Sequence, residues 1–287
     1  MTANGDYIAL LGTKGGPAIR PGSTMPTSSL LTLGGQAVII DCGLGVTRGL
    51  VDQGLSLKDV ALIFITHLHS DHYLELGPLL HTAWTAGLKT PVTVYGPLGL
   101  ERYIAHFFSS MRDDIDLRIE DEGRPDLRDL VTVRAIQEGL FHDSGSLRVH
   151  AMLNEHPPLK HSYALAFEGN GKRVVFSGDT AYLPPLADFV KGADLLIHEA
   201  MLREGIEALV ARVGNGDDRL LTHLLRSHTT AADAARIARD ADVKALALHH
   251  LIPSDDPDFH EQHWQDAVSS VWSGRLYVGK DGLVIPV

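Results

Sequence analysis

A single cysteine, Cys42, excludes an intrachain disulfide, and so little thiol suits a reducing cytoplasm. No stretch approaches the roughly 20 apolar residues that a membrane-spanning helix needs, so no membrane partner is expected. The opening residues 1–6 have neither the basic nor the apolar region of a secretory leader. Positive charge is also short: 25 Lys and Arg against 36 Asp and Glu leave a formal net charge of −11. No basic run occurs, and phosphate neutralisation along a nucleic acid needs clustered Lys and Arg, so nucleic acid is not the expected partner. Neither an internal repeat nor a low-complexity linker interrupts the chain. Its 287 residues, 44% of them hydrophobic, read as one large α/β domain spanning 1–287.

Histidine is in surplus, with 16 in the chain. Residues 66–72 read Thr-His-Leu-His-Ser-Asp-His, directly after the apolar run Ala61-Leu62-Ile63-Phe64-Ile65. His67 and His69 stand two apart at a strand end, so on extended backbone both project to one side and can share an ion. Asp71 and His72 turn onto the following helix and can reach a second ion. Imidazole and carboxylate together suit zinc and similar borderline metals. Packing needs alone give no reason for four such residues within six positions.

The rest of the pattern alternates strands with helices. Strands are expected at 8–11, 30–33, 37–40, 61–67, 91–97, 131–136, 147–153, 162–167, 173–176, 194–197, 245–248, 275–279 and 283–286. Helices are expected at 46–54, 72–87, 98–111 and 230–240, the last with Thr229 as its N-cap. Residues 112–130 are charged and carry Gly123 and Pro125, which reads as an exposed excursion. Two runs of strands interleaved with helices predict two β-sheets packed face to face with helices on the outer faces.

Further metal ligands should lie at strand ends, like the first four. Three places qualify: His156 after strand 147–153, with His161 as a rival; Asp179 within Phe176-Ser177-Gly178-Asp179-Thr180; and His249 or His250 after strand 245–248. The expected arrangement is His67, His69 and His156 on one ion, Asp71, His72 and His250 on another, and Asp179 bridging both beside a shared hydroxide. Two ions so held polarise a scissile group and stabilise the attacking oxygen. Strand parity leaves His249 against His250 open. Tyr73, Trp84, Phe107, Phe108 and the loop Tyr182-Leu183-Pro184-Pro185 are the expected pocket wall.

These residues together resemble the metallo-β-lactamase superfamily, whose mark is His-x-His-x-Asp-His after a strand. Within it the chain looks closest to the ribonuclease Z and arylsulfatase-like branch. The matching stretches are Leu11-Gly12-Thr13, Ile40-Asp41-Cys42-Gly43, the 66–72 cluster, 176–180, Leu196-Ile197-His198-Glu199-Ala200, Ser227-His228-Thr229-Thr230 and His250-Leu251-Ile252-Pro253. The resemblance implies an αββα sandwich, mixed sheets, and a dinuclear site at the sheet edge. It selects His250 over His249, because the family's last metal histidine precedes a Leu-Ile or Leu-Val pair. It also implies that His228 lies beside the metals and that Glu199 orients it, so Asp71, His228 and Glu199 become the candidate catalytic residues. Asp41 would hold the ligand loop from behind, and Cys42 would be a small buried hydrophobe.

The function expected from this is a dinuclear metal-dependent hydrolase, with Zn2+ foremost and Mn2+ or Fe2+ as alternatives. Its metal-bound hydroxide would attack a small ester-type substrate: a sulfate ester, phosphodiester, carboxylic ester or lactone. The alternative is a ribonuclease Z-like enzyme that processes tRNA 3′ ends. Ribonuclease Z enzymes usually carry a long tRNA-binding arm between the third metal histidine and the bridging aspartate. Here only 23 positions separate His156 from Asp179. A third expectation, an iron redox protein, fits less well, because flavodiiron relatives trade histidine for carboxylate and need a flavin domain. Similar enzymes form dimers, so a homodimer is allowed, although no surface stripe marks one.

Overall fold

The computed structural model describes residues 5–287, so the reading of the first four residues as part of no leader falls outside it. Strands β1 (Tyr7–Gly12), β2 (Ser28–Leu33), β3 (Gln36–Cys42), β4 (Leu62–Phe64), β5 (Val92–Gly96) and β6 (Val131–Ala135) form most of one sheet. The second sheet follows as β7 (Gly139–Asp143), β8 (Arg148–Leu153), β9 (Tyr163–Gly169), β10 (Lys172–Phe176), β11 (Leu195–Met201), β12 (Ala245–Ile252) and β13 (Arg275–Val278). The last strand, β14 (Leu283–Pro286), returns to the first sheet, giving the orders β14-β1-β2-β3-β4-β5-β6 and β13-β12-β11-β10-β9-β8-β7. Both sheets mix parallel and antiparallel pairs. Two mixed seven-stranded sheets between helical layers make the expected αββα sandwich.

Alternation within the strands decides which side chains build which layer. In β4, Ile63 joins the core between the first sheet and its helices, while Leu62 and Phe64 face the layer between the sheets. Phe64 is fully buried there, stacked on Tyr95 at 5.1 Å and edge-on to Phe167 at 5.2 Å. A third apolar layer joins the second sheet to the Ala-rich helix Ala231–Asp240 through Ala234, Ala235, Ile237 and Ala238. Both faces of each sheet are therefore covered, as continuous apolar runs such as β11 and β12 require.

The sheets put one set of strand ends along a common edge. β1 runs antiparallel to β2, and β2 to β3, while β4 runs parallel to β3; in the second sheet β8 and β10 both oppose β9, and β11 and β12 run parallel to β10. The carboxyl ends of β1, β3, β4, β8, β10, β11 and β12 thus meet at one side of the sandwich.

Several local expectations need correction. The excursion 112–130 is a helix, Arg112–Glu122, and a short turn of helix, Leu127–Leu130. Ile115 and Leu127 are fully buried, and Trp84 Nε1 donates to Pro125 O at 2.8 Å, so this segment covers the core rather than leaving it. Its charges are satisfied among themselves, Arg118 with Asp114 and Glu122, which is why composition alone read as loop. The helix expected over 72–87 breaks at Leu74 and Glu75 into Ser70–Tyr73 and Leu76–Thr85. Glu75 is spent on the amides of Gly45 and Thr47, at 2.5 and 2.9 Å. The N-cap of the Ala-rich helix is Thr230, whose Oγ1 accepts from Asp233 N at 3.1 Å; Thr229 Oγ1 donates instead to Thr180 O. Strand β7 and the helices Arg203–Val213, Arg219–Ser227 and Glu261–Ser269 were not anticipated.

Phe64→Ala should cost about 3–5 kcal/mol, the range for emptying a buried aromatic site. A fall in the urea midpoint with unchanged slope will measure it; a loss under about 1 kcal/mol would mean that this inter-sheet layer can collapse around the gap.

Candidate metal centre

The strand-end edge collects the titratable residues. The turn after β4 carries His67, His69, Asp71 and His72; the turn after β8 carries His156; the turn after β10 carries Asp179; and His250 lies within β12 near its end. Their donor atoms fall into three mutually close groups: His67, His69, His156 and Asp179; Asp71, His72 and His250; and Asp179, His228 and His250. Asp179 is common to two of them. Its Oδ2 lies 3.1 Å from His250 Nε2, 3.4 Å from His72 Nε2, 3.6 Å from His67 Nε2 and 3.8 Å from His156 Nε2. His161, the rival for His156, is exposed and joins none of these groups.

Several backbone features make the convergence reachable. Asp41, at the end of β3, has φ +59°, and its Oδ1 accepts from Thr66 N at 2.8 Å, which pins the start of the ligand turn. Its Oδ2 faces His72 Nδ1 at 2.8 Å. Because a carboxylate only accepts, His72 must carry its proton on Nδ1, leaving the Nε2 lone pair turned to the site. His156 is set the same way by Ser227 O, 2.8 Å from its Nδ1. Gly178 has φ +58°, and a Cβ there would stand 2.5 Å from Tyr163 O, so only glycine lets the 177–179 turn bring Asp179 inward. His250 sits at a bulge, since Glu199 pairs with His249 and Ala200 with Leu251. Its φ of +45° swings the imidazole to the site. His249 goes elsewhere: its Nε2 donates to Gly12 O at 2.9 Å, and burial pushes its pKa down to about 3. The parity argument left these two neighbours undecided because a bulge suspends parity.

Burial lowers the pKa of His67 and His69, and brings His156 to about 4. These rings are neutral at pH 7, the form that donates a lone pair to a metal. Burial works against the Asp71 and Asp179 carboxylates, but the imidazoles around them more than reverse it and hold both well below the usual range. His72 Nε2 and Asp179 Oδ1 are buried without a hydrogen-bond partner. Unpartnered buried donors and acceptors are costly, and these cluster where a cation would satisfy them. Nitrogen and oxygen donors with this convergence fit divalent metal binding.

His228 and Glu199 stand at the rim of the cluster. Glu199, from β11, accepts from Thr180 N at 2.7 Å and from His228 Nδ1 at 2.9 Å. Burial opposes charge on His228, yet the Glu199 carboxylate prevails and raises its pKa to about 9. Beside them opens a pocket of about 450 Å³, in the ordinary range for a small-ligand site. One end holds His69, Asp71, Asp179, His228 and His250; the wall is made by Lys14–Ala18, Arg20 and the apolar residues Leu209, Val213, Leu220 and Leu224. The expected wall is corrected here. Trp84 and Phe108 are core residues, Tyr73 and Phe107 pack against that core, and Tyr182 and its neighbours do not line the pocket. The actual wall comes from helices whose leucine spacing sits among polar residues and gave no clear sign in the sequence. Cys42 is buried and reduced in character to packing, with its thiol pKa pushed up by burial.

Residues 7–215 match the family described as anti-Pycsar protein Apyc1. The chain belongs to that family. It is also similar to ribonuclease Z of Mycobacterium bovis, at 29% identity over 277 residues, covering 96% of this chain and 95% of that one. Among solved structures it resembles the metallo-β-lactamase-fold protein YhfI of Bacillus subtilis, with a TM-score of 0.72 and 22% identity over 98% of both chains. Human tRNase Z, short form, superposes with a TM-score of 0.66 and 22% identity over 97% of this chain and 98% of that one. These likenesses give the chain the metallo-β-lactamase fold and mark it as a metal-dependent hydrolase acting on ester bonds. No helix among the described residues is long and apolar enough to cross a membrane.

Asp41→Asn tests how the ligand turn is held. Asparagine tolerates positive φ but offers one acceptor where Thr66 N and His72 Nδ1 together need two. Metal affinity should drop by about 10–100-fold, the usual effect of losing a residue that orients a ligand. Competition against a chromophoric chelator gives the number, and an unchanged affinity would show that His72 needs no such partner.

Proposed function

We propose that this chain is a two-metal phosphodiesterase. The observation that carries the reading is one buried carboxylate, Asp179, set among four imidazole nitrogens within 3.8 Å. His67, His69 and His156 would hold one ion and Asp71, His72 and His250 the other, with Asp179 shared; imidazole with carboxylate favours Zn2+ over harder cations. Divalent ions held there would polarise the phosphoryl oxygens and make hydroxide available at neutral pH.

The protein's own residues supply the rest. Glu199 keeps the proton on His228 Nδ1 and raises the ring's basicity, so the imidazole carries a second proton on Nε2 near neutral pH. That proton can pass to the oxygen of the departing group, and until it does the imidazolium charge stabilises the negative charge of the transition state; the transfer leaves the ring neutral. The apolar wall of Leu209, Val213, Leu220 and Leu224 excludes water from the substrate's organic part.

Among the ester classes open from the sequence, phosphodiester is the one supported by relatives named ribonuclease Z at 29% identity. This supports the nuclease alternative ahead of sulfate ester, carboxylic ester or lactone. The lack of a long arm does not count against it, since that relative is matched over 95% of its own length and has no room for a long extra arm either. A second reading, a small nucleotide-sized phosphodiester, is favoured by the pocket, whose volume of about 450 Å³ accommodates one nucleotide rather than a strand. A tRNA precursor with a 3′ trailer and a 3′,5′-cyclic nucleotide, offered to zinc-loaded protein, separate the two. Turnover of neither, nor of bis(4-nitrophenyl) phosphate, would sink the phosphodiesterase reading.

Two variants divide the roles. Asp179→Ala should lose metal and activity together. His228→Ala should keep its metal and lose about 10²–10⁴ in kcat, the worth of a positioned proton donor. Because His228 also falls in a donor group with Asp179 and His250, equal metal loss in both variants would make it a ligand instead.

A further inference from the structure

One lysine of the pocket makes no ion pair among the described residues, although the carboxylates of Asp255 and Asp71 lie near enough to act on its charge. Lys14 lies just beyond β1, and its main chain is fixed on both sides: its N–H donates to Met25 O at 2.9 Å, and its carbonyl accepts from Thr27 Oγ1 at 3.1 Å. The residue is among those lining the pocket and is only 4% exposed. Nζ donates to Gly15 O at 3.1 Å and enters no ion pair among the described residues. The neighbouring carboxylate of Asp255 is held by Arg20 at 3.0 Å and by Arg212 at 3.2 Å. An ammonium buried with one neutral acceptor is a burden on the fold, and an apolar side chain of equal length would fill the same space at less cost. Such a group is explained when something that arrives later needs it.

We propose that Lys14 Nζ is the anion-recognition group of this pocket and binds an anionic oxygen of the substrate, beside the end formed by Asp71, Asp179 and His228. The identification of that oxygen as a phosphoryl oxygen rests on the phosphodiesterase reading; the need for an anion does not. Lys14 then fixes which substrates the pocket accepts: those that bring a negative charge to the wall as well as an ester to the donor cluster. Its unspent N–H donors are turned from a defect of the apo fold into part of the binding energy, the usual conflict between stability and function at a site.

Lys14→Met in the full chain is the test, with Lys14→Arg as the charge-preserving control. Lys14→Met should melt at or above the parent's temperature without added anion and retain the parent's zinc content. Its affinity for inorganic phosphate, measured by titration calorimetry on zinc-loaded protein, should fall at least about tenfold, the size of one charge-assisted hydrogen bond. Its KM for bis(4-nitrophenyl) phosphate should rise by a similar factor, and Lys14→Arg should recover part of both. Unchanged phosphate affinity in Lys14→Met overturns the proposal, and so does lost zinc or a lowered melting temperature, either of which would make Lys14 a structural residue. If the parent cleaves no phosphodiester, that reading fails by itself, while the phosphate titration still decides the role of Lys14.

Discussion

A carboxylate sealed inside a protein needs positive charge close by, and the edge of this sandwich is organised around that need. Asp179 is almost wholly buried, and the groups around it are imidazoles and a second buried carboxylate, Asp71, with the nearby carboxylates pushing the His72 pKa up. Imidazole can answer a carboxylate by taking a proton or by sharing a cation. Protonation cannot serve all of them, because like charges at these separations repel and burial already drives His67, His69 and His156 toward the neutral form. Shared cations relieve the carboxylates and the lone pairs at once. Every other choice at this edge follows from holding those donors in register before any cation arrives.

The holding is done from behind, by groups that never face the site. Asp41 fixes both the ligand turn and the tautomer of His72; Ser227 O fixes that of His156; Gly16 N donates to Asp71 Oδ2 at 2.7 Å; and Glu199 ties the turn after Asp179 to His228. Three positions along this edge carry backbone conformations that L-residues disfavour, at Asp41, Gly178 and His250. Such local cost persists only where the surrounding structure dictates it. Here the surroundings are two sheets buried on both faces, whose rigidity supplies the stability that the edge gives up.

What the sequence revealed tracks where the physics is local. The 66–72 turn is legible because its ligands are adjacent and its strand is a plain apolar run. The Gly178-Asp179 turn is legible because glycine announces a tight approach. His156 and His250 needed long-range information, since the first depends on where β8 ends relative to a distant turn and the second on a bulge that only pairing with β11 defines. Glu199 and His228 were reached through family resemblance rather than spacing, because a glutamate at a strand end and a histidine at a helix end look ordinary until 29 residues of chain fold them together. The pocket wall was misread for the same reason. Aromatic residues attract attention as candidate linings, yet Trp84 and Phe108 are drawn into the core by their large apolar area, and shorter leucines on two later helices form the wall instead.

Net charge illustrates the same division between whole-chain and local reasoning. A balance of −11 weakens the attraction of an extended polyanion, which samples a broad surface. It says much less about one phosphate in a recess, because charges on the far surface are screened over a Debye length of about 8 Å at physiological salt. Inside the recess the local inventory differs from the global one: Lys14 and Arg20 line it, and His228, raised by Glu199, stands at its inner end. The carboxylates of the donor cluster do repel an anion until cations neutralise them. For the anionic substrate proposed, cation binding and substrate binding would therefore be linked in sign, each making the other more favourable, and an acidic protein could serve it without a basic surface.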